Sequence, residues 1–136
     1  MSDSRQLPRK HLANHKVCSM CLLSFKRMEK CDMIAEIVDM TPAGIGIKVI
    51  HKVDPGFVWF SEKIEGHRGG LLMWSKELDS LYRGGIRFIP LSTHDEQIIE
   101  EKLADDGPVK DPMVIADTML ASLKKGGGGY IIQTGS

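Results

Sequence analysis

The chain has no net charge, because its 18 lysines and arginines are balanced by 18 aspartates and glutamates. Binding to the DNA backbone requires a surplus of positive charge, so a general DNA-binding function is not expected. The chain also lacks an apolar run of membrane-spanning length, and its first residues do not resemble a signal peptide. We therefore expect a cytoplasmic protein that does not insert into a membrane.

Cysteine is scarce, with Cys18, Cys21 and Cys31 as the only thiols. An odd number in a chain expected to be cytoplasmic indicates reduced thiols and not a disulfide framework. Together with His15 they could in principle form a tetrahedral zinc site. Cys18 and Cys21 lie in a predicted strand, however, where residues three apart point to opposite faces. We expect no bound metal, and a small metal or redox protein is kept as an alternative.

Catalytic patterns are also missing from the sequence. It contains no nucleophile elbow, no Ser/His/Asp arrangement with local support, and no carboxylate pair placed for acid–base chemistry. The five histidines show no metal-ligand spacing. The protein is therefore not expected to be an enzyme.

Short apolar segments separated by turn signals occupy most of the chain up to residue 89. Strands are predicted over residues 15–25, 33–38, 45–50, 57–60, 71–74 and 81–89. The third of these alternates, which places Ile45, Ile47 and Val49 on one face. Gly84-Gly85 within the last strand indicates a bulge or a close backbone approach. The pattern is typical of an antiparallel barrel or sandwich.

Helical patterns follow the predicted strands. A capping box formed by Thr93 and Glu96 predicts the start of one helix, and Asp111-Pro112 predicts the start of a second. Residues 1–14 show no apolar periodicity and are predicted to be a flexible arm. We therefore divide the chain into an arm (1–14), a barrel with one helix (15–104), and a helical extension with a glycine-rich tail (105–136).

Two charged motifs lie before the first and after the second predicted strand. They are Arg5-x-x-x-Arg9, and Asp39-x-Thr41-x-x-Gly44 at a strand end. In order, spacing and strand context they resemble the PilZ domain family, whose signature is an RxxxR arm followed by a D/N-x-S-x-x-G turn. Trp74 and the segment 82–88 resemble that family's closing segment. The resemblance covers roughly residues 5–104.

The resemblance implies a six-stranded antiparallel β-barrel with C-terminal helices that binds cyclic di-GMP, a bacterial second messenger. It implies that Arg5 and Arg9 clamp guanine edges and phosphates. It further implies that the turn residues Asp39, Thr41 and Gly44 hold one base, with Trp74 as a stacking wall. Side-chain chemistry agrees, because arginine donors fit guanine O6 and N7 as well as phosphate oxygens. The Asp39 carboxylate can accept from guanine N1–H and N2–H₂.

On this hypothesis the ligand orders the N-terminal arm, and the ordered arm signals to a protein partner that the sequence does not identify. The C-terminal helices could carry the contact with that partner or with a second copy, in a monomer or weak dimer. The alternative is a PilZ-fold interaction module that does not bind nucleotide. Three departures favour it: Thr41 replaces serine, Pro42 removes a backbone donor, and Pro8 lies within the arm.

Overall fold

A computed structural model describes residues 10–103 and 109–127 of the chain. Arg5 and Arg9 lie outside the described residues, as do the predicted end of the first helix at residues 106–108 and the tail from residue 128 onward. The predicted flexibility of residues 1–9 is therefore still a prediction.

Six strands form a closed antiparallel barrel, in the order β1-β2-β3-β6-β5-β4 around its circumference. This arrangement confirms the six-stranded antiparallel barrel expected from the sequence. The strands are β1 (Lys10–Ser24), β2 (Lys30–Thr41), β3 (Gly44–Val49), β4 (Gly56–Ile64), β5 (His67–Leu78) and β6 (Leu81–Ile89).

Strand β1 begins five residues earlier than the sequence pattern predicts. Lys10 pairs with Met40 and His11 pairs with Asp39, so residues at the end of the predicted arm already belong to the sheet. Backbone pairing does not require apolar side chains, and this polar segment therefore gave no signal of its strand in the sequence. Residues 10–14 of the segment predicted as an arm therefore belong to β1.

The interior of the barrel is filled by alternate residues of the strands. Ile45, Ile47 and Val49 of β3 all point inward, as the alternation predicts. They pack with Phe60 and Leu72, which are completely buried. Since alternate side chains point to opposite faces, the residues between them lie on the outer surface.

Two helices, α1 (Thr93–Leu103) and α2 (Pro112–Gly127), cover part of that outer surface. A second apolar cluster joins Ile99 of α1 and Met119 of α2 to Phe57, Trp59 and Ile89 of the barrel. No helix in the described ranges is long and apolar enough to cross a membrane. The helices pack on β4, on its neighbours and on the end of β6 at Ile89, and the outer face formed by β2, β3, β6 and β5 carries the site described below.

Ser92, and not Thr93 as the sequence analysis predicted, caps the first helix. The Asp95 N–H donates to Ser92 Oγ at 3.1 Å, and the Glu96 N–H donates to the Ser92 carbonyl at 2.9 Å. Ser92 and Thr93 are both residue types that cap helices, and the side-chain cap is made by Ser92. The Asp95 carboxylate also accepts from Ser122 Oγ at 3.2 Å, which joins α1 to α2.

Candidate functional site

The turn between β2 and β3 is closed by a side chain. Thr41 Oγ1 accepts from the backbone N–H groups of Ala43 at 3.1 Å and Gly44 at 3.2 Å. The Phe88 N–H donates to the Ala43 carbonyl at 2.8 Å, which holds the turn against β6. The Thr41 hydroxyl therefore makes its hydrogen bonds within the turn. These bonds close the turn without a backbone N–H at residue 42, which Pro42 does not have.

Gly44 is required by the close packing of β3 on β6. A Cβ atom at this position would overlap the backbone carbonyl oxygen of Ile86 and would lie 3.1 Å from the Arg87 Cα atom. Its φ angle is not positive, since Gly66 is the only glycine with positive φ among the described residues. A glycine can be required by a positive φ angle or by the close approach of another part of the backbone, and at Gly44 the close approach is the reason.

A row of four outward-facing residues crosses four neighbouring strands. Asp39 of β2 pairs with Gly46 of β3, Gly46 pairs with Gly85 of β6, and Gly85 pairs with Trp74 of β5. A Cβ atom at residue 46 would lie 2.7 Å from Asp39 Oδ1, and one at residue 85 would overlap Trp74 Nε1. The two glycines thus form a floor over which the Asp39 carboxylate and the Trp74 indole ring lie. We call Gly46 and Gly85 the glycine floor.

The glycine floor lies in a cavity of about 530 Å³. Four of the six residues predicted for the site line this cavity, namely Asp39, Thr41, Gly44 and Trp74. The other two, Arg5 and Arg9, are not among the described residues. Sites for small ligands usually have volumes of roughly 300–1,000 Å³, so the cavity is of suitable size for one.

The side chains of Asp39 and Trp74, which form two walls of the cavity, differ in exposure. Asp39 is 8% exposed, whereas Trp74 is 49% exposed and contributes to neither apolar cluster. A buried carboxylate is a directional acceptor in a poorly solvated position. The exposed indole ring of Trp74 offers a surface on which a planar ring can stack.

Two further arginines line the cavity and were not predicted as site residues. Arg83 and Arg87 lie on the outer face of β6, two residues before and two residues after Gly85. The Nε atom of Arg83 is buried and has no hydrogen-bond partner within the described part of the chain. The alternation of β6 could have revealed both arginines, since Arg83, Gly85 and Arg87 share one face of the predicted strand.

The three cysteines do not form one cluster, because Cys31 lies beside Cys21 on the paired strand β2 whereas Cys18 is on the other face of β1. Cys18 packs on the core inside the barrel, while Cys21 packs on the outer cluster beneath the helices, as expected for residues three apart in a strand. Burial raises the pKa of both thiols to about 11, so little thiolate is present at neutral pH. Within residues 10–103 and 109–127, no group of three or more His, Cys, Asp or Glu side chains could hold a metal ion.

Comparison of the chain with models of known protein families gives no match, and comparison with curated proteins gives none either.

Proposed function

We propose that the chain is a PilZ-like receptor for cyclic di-GMP and that the ligand binds in the cavity above the glycine floor. The observation that carries the proposal is the row from Asp39 to Trp74 across four strands. The Asp39 carboxylate, which can accept from guanine N–H groups, and the exposed Trp74 ring, which can stack on a base, both lie over this row and line one cavity. Membership of the PilZ family is part of the same proposal, and it is supported by the two sequence motifs and by the place of the second motif at the β2–β3 turn of this barrel.

Asp39 and Trp74 make different contacts with the base in this proposal. The base stacks on the exposed side of Trp74, whose indole ring lies over Gly85, and Asp39 accepts from its N1–H and N2–H₂ groups. Stacking on an aromatic side chain contributes about 1–3 kcal/mol per base. Bidentate arginine contacts contribute about 1–3 kcal/mol each, and a micromolar site requires about 8 kcal/mol in all. Several such contacts acting together reach that range.

The arm is attached beside this cavity. Lys10, which follows Arg9 directly in the sequence, pairs with Met40 next to Asp39. Arg5 lies five residues before Lys10, and five residues span at most about 17 Å of extended chain. Both arginines can therefore reach a ligand held above the β2–β3 turn. In our proposal, ligand binding selects one conformation of the arm, and a protein partner binds to that conformation.

The proposed guanine contact is tested by the variant Asp39→Asn. Calorimetric titrations with cyclic di-GMP and with cyclic di-AMP compare two ligands that differ in the base. We expect the wild-type chain to prefer cyclic di-GMP, and Asp39→Asn to weaken cyclic di-GMP binding about five- to tenfold, because an amide replaces one of the two acceptor oxygens by a donor.

Asp32→Asn is the matched control, since Asp32 is an exposed aspartate of the same strand outside the cavity. It should leave the affinities for both nucleotides unchanged. Equal affinity of the wild-type chain for the two nucleotides, or no effect of Asp39→Asn, would contradict the proposed guanine contact. No binding of either nucleotide would favour the interaction module that does not bind nucleotide.

A further inference from the structure

A second row of outward-facing residues runs beside the glycine floor and carries mostly positive charge. Glu36 of β2 pairs with Lys48 of β3, Lys48 pairs with Arg83 of β6, and Arg83 pairs with Lys76 of β5. Three cations therefore stand side by side on adjacent strands, with one carboxylate at the end. We call Lys48, Arg83 and Lys76 the cationic row.

This arrangement is unfavourable in the protein by itself. Like charges directly opposite each other on neighbouring strands destabilise a sheet. Glu36 offsets only part of this repulsion, since its carboxylate lies 3.8 Å from Lys48 Nζ and both side chains are partly exposed. Arg83 and Lys76 form no ion pair with any described residue.

The position of Arg83 links the cationic row to the cavity. Arg83 lines the cavity, yet its buried Nε has no hydrogen-bond partner in the part of the chain that the structure describes. An unsatisfied buried donor on a charged group costs stability, and a ligand acceptor can remove that cost. An anion bound at the row would also relieve the repulsion between Arg83 and the two lysines.

We propose that the cationic row binds a phosphoryl group of the ligand, so that the barrel itself holds phosphate in addition to any contact from the arm. Residues two apart in a strand are separated by about 6.8 Å, so the cationic row lies at about that distance from the glycine floor. A nucleotide whose base stacks on Trp74 can extend its phosphate over that distance. This inference rests on the proposed function only for the identity of the nucleotide.

The proposal predicts an unusual pair of effects for Arg83→Met, which keeps an apolar stem and removes the charge. Without ligand, the variant is expected to have a higher melting temperature than the wild-type chain, because repulsion and an unsatisfied donor are both removed. Its affinity for a phosphate ligand is expected to fall at least tenfold. A residue with a purely structural role would instead lower the melting temperature when it is replaced.

Inorganic pyrophosphate is the probe, because it tests the row without a base. The full chain is titrated while NMR follows the Arg83 Nε–H signal and the backbone amides of Gly84 and Gly85. We expect saturable shifts at these three groups, an affinity at least tenfold weaker in Arg83→Met, and no change in Lys52→Gln. Lys52 is an exposed lysine outside the cationic row and serves as the charge-matched control.

The outcomes separate this inference from the proposed function. Pyrophosphate binding at the row without any binding of cyclic di-GMP would support the inference and contradict the proposed receptor. Binding of cyclic di-GMP with no pyrophosphate shift and no effect of Arg83→Met would overturn the inference and leave the receptor proposal intact. Equal losses in Arg83→Met and Lys52→Gln would also overturn it, because they would indicate nonspecific attraction to positive charge.

Discussion

Replacing Gly44 with alanine is expected to lower the free energy of unfolding by about 3 kcal/mol, near the upper end for overpacked positions. The added methyl group would overlap the carbonyl oxygen of Ile86, which is a backbone atom of β6. Because no flexible side chain can move aside, β3 and β6 have to separate at the pair formed by Gly44 and Arg87. The turn that joins β2 to β3 would move with them, and so would the nearby end of β2 that carries Asp39.

Denaturant unfolding followed by circular dichroism measures this loss. Ala43→Ser is the control, since Ala43 is an exposed neighbour in the same turn, and exposed substitutions usually change stability by about 0.5 kcal/mol or less. If Gly44→Ala had the stability of the control, close packing of β3 on β6 could not be the reason for this glycine.

Gly85→Ala is expected to weaken cyclic di-GMP binding by about ten- to a hundredfold, the range that corresponds to the loss of one stacked base. A methyl group at this position would overlap Nε1 of Trp74 and lie 2.8 Å from its Cε2 atom. The indole ring therefore has to leave its place over the glycine floor, and the floor itself is raised. Both changes displace the ring on which the base is proposed to stack.

Gly84→Ala provides the comparison, because it adds the same methyl group to the inner face of the same strand. Its Cβ atom would lie 3.0 Å from Cδ1 of Leu72 and 3.2 Å from the Trp74 carbonyl oxygen. This variant should lose stability and keep its affinity, whereas Gly85→Ala should lose affinity and alter tryptophan fluorescence. Calorimetry combined with thermal unfolding distinguishes the two patterns. Unchanged affinity in Gly85→Ala would contradict the proposed place of the base.

The barrel could be predicted because its strands alternate clearly. Ile45, Ile47 and Val49 show the period of two that identifies a strand with one buried face. The polar start of β1 lacks that period, and its place in the sheet depends on backbone pairing with β2. The helix cap was displaced by one residue because Ser92 and Thr93 are both residue types that cap helices, and sequence alone does not choose between them.

The candidate site was only partly predictable, because much of it depends on strand register. The motif identified Asp39, but it gave no indication that a register shift between Ile37 and Asp39 places the carboxylate opposite Gly46. The sequence indicated a close approach at Gly84-Gly85 without showing that Trp74 makes it. Register depends on bulges and turn geometry as well as on the side-chain pattern, and Gly46 and Gly85 pair between strands that are far apart in the sequence.

The most direct test of the account is a calorimetric titration of the full chain with cyclic di-GMP, repeated on Arg9→Ala. Arg27→Ala is the control, since Arg27 is an exposed arginine in the turn between β1 and β2. We expect micromolar or tighter binding by the wild-type chain and the control, and an affinity at least tenfold weaker in Arg9→Ala. No heat with the wild-type chain at millimolar ligand would contradict the receptor proposal and would leave the barrel as an interaction module.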